Sequence, residues 1–177
     1  MATRPAFEGQ VSVEEYLSTV YEPDCEYSDG VIEERNVGEL EHSFLQLLLG
    51  SIFMNHRSEW GIVAFTEQRV QLAPNRFRVP DLVVVRANFQ RESILTHPPL
   101  IAIEIQSPED TLRRTTIKAS EYLGFGIEHV WVIDPLARVA YRGTKKGLEL
   151  VPDGELSIPG TPIHVSATQL FAELDRI

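Results

Sequence analysis

The 177-residue chain has a single cysteine, Cys25, so no disulfide can form within it, and a reducing cytoplasm is the expected compartment. It also has no long greasy run. The longest, FLQLLLGSIFM (44–54), falls well short of the roughly 20 residues a membrane-spanning helix needs. The opening MATRPAFEGQ lacks the apolar stretch of a secretory signal. No GxxxxGK[ST], GxGxxG, HExxH or CxxC occurs, which removes the signatures of phosphate loops, dinucleotide folds, zincins and thiol redox centres. The five histidines, at 42, 56, 97, 129 and 164, are scattered rather than spaced as zinc ligands. Basic charge is scarce as well, with 16 Lys and Arg against 26 Asp and Glu. That deficit is local. Residues 1–41 hold eleven acids and only Arg4 and Arg35, whereas the other 136 residues hold 15 acids and 14 bases. A nearly neutral remainder leaves room for a local phosphate-binding patch.

What is present reads as one globular domain over 1–177, long enough to bury a sizeable core. Ser12 and Glu15 form a capping box opening a short helix through SVEEYLSTV, and CEYSDGVIEER (25–35) reads as a hairpin turning at Ser28-Asp29-Gly30. LEHSFLQLLLGSIFMNHRSE (40–59) predicts one long, well-buried helix. Strands are expected at 62–72, 79–86 and 100–106, then a helix over 110–126 stopped by glycine, then a strand over 129–135. A second hairpin turns at TKKG, and SATQLFAEL (166–174) closes the chain as a helix capped by Ser166. Strand 100–106, helix 110–126 and strand 129–134 make a β-α-β unit, hence a parallel crossover.

One residue breaks this pattern. LIAIEIQSPED (100–110) places Glu104 inside a strand that is otherwise apolar, with Gln106 on the same face two residues on. Burying a carboxylate costs several kcal/mol unless a cation meets it. A second acid has a similar setting: RVPDLVVVR (78–86) puts Asp81 directly after Pro80 at the head of an apolar strand. If the two strands are neighbours, Asp81 and Glu104 approach, and either one carboxyl is protonated or a cation sits between them. Mg²⁺ suits such a site, since it takes oxygen ligands and needs only one or two carboxylates, and the backbone carbonyl of Ile105 offers a further oxygen.

Proline-Asp followed by Glu-x-polar resembles the PD-(D/E)XK nuclease superfamily. Within it, the chain resembles the bacterial Uma-two family of restriction-endonuclease-like proteins. The matching words are EYSDGVIEE (26–34), His42, VPDLVVV (79–85), IEIQSPED (103–110), Lys118, Tyr122, Gly126 and VWVIDP (130–135), spanning about residues 12 to 143. The resemblance implies an α/β fold with a restriction-endonuclease-like core, a central mixed β-sheet flanked by helices, and an N-terminal helix and β-hairpin. It implies hydrolysis of phosphodiesters, with DNA as substrate, a homodimer as the working form, and Mg²⁺ or Mn²⁺ held by Asp81 and Glu104. Gln106 stands where the superfamily usually has lysine; in this family that lysine lies on the next helix, where Lys118 fits. Glu33 matches an upstream acid and His42 a recurrent histidine, and Tyr122, four residues after Lys118, lies on the same helix face. Members commonly carry Asp four residues before this lysine; here the residue is Arg114, which with Arg113 offers phosphate contacts. The competing expectation is a nuclease fold that has lost catalysis and serves as a binding or regulatory module.

Overall fold

The computed structural model describes residues 10–36 and 39–177; all of the opening MATRPAFEGQ except Gln10 lies outside the described residues. Ser12 caps α1 (Val13–Ser18), its hydroxyl accepting the N–H of Glu15 at 3.1 Å and so satisfying one of the helix's orphan donors. β1 (Cys25–Ser28) and β2 (Val31–Glu34) form the expected hairpin. Asp29 and Gly30 turn it with φ of 51° and 93°, the left-handed pair that matches the twist of the flanking strands.

The helix expected over 40–59 is two helices. α2 (Leu40–Asn55) stops at His56, whose φ of −98° and ψ of 5° leave the helical region, and α3 (Arg57–Trp60) adds one turn before Gly61 ends it. At the break, His56 Nδ1 donates to the Ile52 carbonyl at 2.9 Å and its ring stacks on Trp60, centroids 4.4 Å apart. α2 also buries a narrower face than expected: Leu45, Leu49 and Phe53 are enclosed, while Leu47 is 72% exposed.

The strand expected over 62–72 is likewise two, β3 (Ile62–Thr66) and β4 (Val70–Ala73), separated at Glu67, whose φ is 51°. β5 (Arg76–Arg78) pairs with β4 and was not expected, because Arg-Phe-Arg shows almost no apolar alternation. β6 (Leu82–Arg86) begins after Asp81, three residues later than expected. β7 (Ile101–Ile105), α4 (Leu112–Phe125) and β8 (His129–Asp134) form the anticipated unit, with Thr111 capping α4 and Gly126, at φ 108°, ending it. β9 (Val139–Thr144) and β10 (Gly147–Leu150) make the second hairpin. β11 (Glu155–Ser157) and β12 (His164–Ser166) make a small one without a periodic signal. Ser166 precedes α5 (Ala167–Leu174), but its side chain makes no capping bond.

The larger sheet runs β10-β9-β8-β7-β6-β3, with β7 and β8 parallel as expected and its other pairs antiparallel; β2-β1-β5-β4 form a second sheet. This is the expected mixed α/β architecture, a central mixed sheet flanked by helices. Ile101, Ile103 and Ile105 face one way, into a core with Leu45, Leu49 and Phe53 of α2, Trp131, and Leu170 of α5. Each such buried isoleucine contributes roughly 1.5–3 kcal/mol. Ala102 faces the opposite way, packing with Val130 and with Ala119 and Tyr122 of α4.

Candidate active site

Antiparallel pairing of Leu82 with Ile103 brings the residue before β6 to the end of β7, so Asp81 and Glu104 belong to one cleft. Asp81 is 5% exposed and Glu104 8%. Ile105 donates its backbone N–H to Asp81 Oδ2 at 2.7 Å, so the end of β7 itself fixes the aspartate. The other oxygen, Oδ1, takes Arg35 Nη2 at 3.1 Å and His42 Nε2 at 3.2 Å. From behind, the Asp81 carbonyl accepts from Gln46 Nε2 at 3.0 Å and from the N–H of Glu67 at 3.2 Å. The left-handed backbone of Glu67 thus serves the site as well as breaking the strand.

Glu104 points the other way, into α4. Thr115, Lys118 and Tyr122 recur at helical spacing and face β7. Lys118 Nζ donates to Glu104 Oε2 at 3.0 Å, and the Tyr122 hydroxyl donates to Oε1 at 2.5 Å. Tyr122 therefore grips the carboxylate rather than the lysine. Gln106 follows on the same face but does not line the cleft: its Nε2 donates to Thr115 Oγ1 at 2.8 Å and its N–H to the Ile133 carbonyl at 2.8 Å.

Lys118 has a second anchor, Glu26 Oε1 at 3.0 Å. Glu26, on β1, has no exposed surface and also accepts from Arg78 at 2.9 Å and from the N–H of Val79 at 3.0 Å. Glu33 lies opposite Glu26 across the hairpin and takes the same Arg78 nitrogen at 2.6 Å, while Arg78 Nε donates to Glu121 at 2.7 Å. Glu33 thus reaches the site through Arg78, and Glu26 is the hairpin acid that touches Lys118.

At the rim, Arg114 lines the cleft and donates to the Glu34 carbonyl at 3.3 Å. Arg113 is exposed. Asn36 donates to Ser107 at 2.8 Å and to Asp110 at 2.9 Å, tying the segment after β2 to the segment after β7.

The charges act strongly on one another. Burial, with Asp81 and Glu26 nearby, outweighs the lysine and pushes the Glu104 carboxyl up to about 7. Burial also penalises Asp81, but the hydrogen bond and charge of His42 and the N–H of Ile105 hold it below the usual carboxylate range. Glu26 is likewise held down against its burial by Lys118 and Arg78. Burial alone would depress Lys118 and His42, yet the carboxylates around them raise both.

A divalent cation fits this donor set. Each carboxylate oxygen has two acceptor positions, and the hydrogen bonds described leave both oxygens of Glu104 and Oδ2 of Asp81 with capacity. The cleft encloses about 40 Å³, enough for water-sized ligands, and it is predominantly polar. Glu104 is the under-compensated acid of the cluster, the group a further cation would relieve. His42 Nδ1 finds no hydrogen-bond partner among the described residues although it is buried at the same cleft. Among the described residues, no three His, Cys, Asp or Glu side chains form a metal cage, so such an ion would rely on two carboxylates, a backbone carbonyl and water.

Two charged side chains of the described residues that bond directly to Asp81 or Lys118 escaped sequence reading. Glu26 carried the signal seen at Glu104, an acid between buried apolar neighbours, here Cys25 and Tyr27, but the acidic N-terminal stretch masked it. Arg35 carried no signal, because its contact with Asp81 spans 46 positions.

The family model described as "Uma2: Putative restriction endonuclease" matches residues 13–168. The chain is similar to a nuclease of DUF820 from Anabaena variabilis, described as putative and solved as a crystal structure. It shares 25% identity and a TM-score of 0.80 over 93% of this chain and 99% of that one. A DrdV–DNA complex solved by cryo-electron microscopy superposes on 74% of this chain and 11% of its own, with 14% identity and a TM-score of 0.42. Among curated protein sequences, none matches.

Proposed function

The chain belongs to the Uma2 family, and from that premise we propose that it is a divalent-metal-dependent endonuclease, hydrolysing phosphodiester bonds of DNA with Mg²⁺ or Mn²⁺. The observation that carries this reading is the meeting of Asp81 and Glu104 in one polar cleft beside the Lys118 ammonium. Asp81, Glu104 and the carbonyl of Ile105 would hold the ion, which supplies Lewis-acid stabilisation of phosphate charge and a more acidic water. The remaining work falls to the chain itself. The Ile105 N–H and Tyr122 hold the two carboxylates in orientation. Lys118, kept charged between Glu26 and Glu104, offsets negative charge on the phosphate as it is attacked. Gln106 ties β7 to α4 through Thr115, Glu33 steadies Arg78 behind Glu26, and Arg114 stands where a backbone phosphate would approach. Cutting both strands with one such site per chain would take two copies, so a homodimer is part of the proposal.

One observation favours a second reading, a binding or regulatory module. Both oxygens of Glu104 are already engaged, as in a structural ion pair. Mn²⁺ calorimetry and nicking of supercoiled DNA, on wild type and Glu104→Gln, separate the two. The nuclease reading expects binding and nicking in wild type and loss of both in the variant, at least a 10³-fold drop in rate (roughly 4 kcal/mol) with melting behaviour retained. A wild type that binds DNA without binding Mn²⁺ selects the module.

A further inference from the structure

Among the described residues, three Lys and Arg side chains pair with Glu26, Asp81 or Glu104, and they are not held equally. Arg78 is fastened by three carboxylates at 2.6–2.9 Å and Lys118 by two at 3.0 Å. Arg35 has one contact to Asp81 at 3.1 Å and a long one to Glu67 at 3.5 Å. Glu67 is itself 55% exposed, so the second contact leads outward to the rim. Of these three, Arg35 is therefore the most weakly fastened, and it rests on the acid a metal would need. Arg35 and His42 together fill the two acceptor positions of Asp81 Oδ1. A guanidinium there and a divalent ion bound to the same carboxylate repel across a few ångströms. A displaced guanidinium would find a suitable partner nearby, because its planar fork matches phosphate bidentately and Arg114 brings further donors to the same rim.

We infer that Arg35 is a two-position residue: it neutralises Asp81 in the free protein and transfers to the phosphodiester of the substrate when a divalent cation takes Asp81. It thus competes with metal and assists substrate. The inference rests on the proposed metal site at Asp81 and Glu104.

The test compares wild type with Arg35→Gln, which keeps much of the side chain's volume and leaves Asp81 its His42 and Ile105 donors. Mn²⁺ affinity is measured by calorimetry without DNA. Affinity for a short labelled duplex is measured by anisotropy in Ca²⁺, and thermal melts confirm folding of both proteins. The expected pair is Mn²⁺ binding tighter by about five-fold or more together with weaker duplex binding in the variant. Mn²⁺ binding that is unchanged or weaker overturns the competition, and unchanged duplex binding overturns the transfer. If neither protein binds Mn²⁺, the metal reading of Asp81 and Glu104 fails and takes this inference with it, a result distinct from a wild type that binds and a variant that gains nothing.

Discussion

The two faces of β7 follow opposite rules. One presents Ile101, Ile103 and Ile105 to α2 and α5, and its stability comes from area removed from water. The other presents Ala102, Glu104 and Gln106 to α4, where Glu104 and Gln106 meet Lys118, Tyr122 and Thr115 through hydrogen bonds and charge. The apolar face tolerates exchange of one hydrocarbon for another of similar volume. The polar face tolerates little, because each polar group in it is met by a particular partner. One strand can serve both because side chains alternate, so the rigid core lies directly behind the site and fixes its geometry.

Removing a partner on the polar face should have the largest effect. Lys118→Ala leaves Glu26 and Glu104 buried without their shared cation, and unfolding free energy by urea titration should fall by about 3–5 kcal/mol. A loss under about 1 kcal/mol would mean the cluster is better hydrated than its burial suggests. On the apolar face, Ile103→Ala removes a fully buried side chain and should cost about 2–5 kcal/mol, while the dependence of stability on pH stays that of wild type.

That pH dependence is the smallest and most discriminating effect. The Glu104 carboxyl is raised from 4.5 to about 7, so between those values the folded state holds a proton the unfolded chain has released. Stability from this group is present at low pH and lost as pH rises through about 7, a fall on the order of 3 kcal/mol at most. His42, also raised, adds in the same direction: its contribution is full below 6.5 and lost as pH climbs through the folded value. Asp81 and Glu26 are lowered and act oppositely, losing stability only as pH falls through their depressed values. Denaturation between pH 5 and 8 should therefore show declining stability in wild type and a shallower decline in Glu104→Gln. Equal slopes in the two proteins would assign the decline to His42.

Much of this was legible in the chain. β7, α4 and β8 were readable because two continuous apolar runs flank a polar periodic segment stopped by Gly126. Asp81 and Glu104 stood out because an acid in an apolar strand conflicts with its surroundings, and such conflicts gather at functional sites. The break at His56 was hidden because neither glycine nor proline marks it within Asn55-His56-Arg57-Ser58-Glu59, and β5 because arginines flank its one buried phenylalanine. Arg35 was invisible for a different reason: its role depends on which distant segment folds against it, and no local periodicity records that.

The clamped position of Lys118 has a practical consequence. The chain has only three lysines, and the other two, Lys145 and Lys146, are exposed together at the turn between β9 and β10, on the sheet's outer edge. Lys118 is held charged by its carboxylates and is 14% exposed, which shields its amine from acylating reagents. Side-chain amine labelling would thus mark one corner of the molecule, and tethering through those lysines would leave the cleft pointing the same way in every copy.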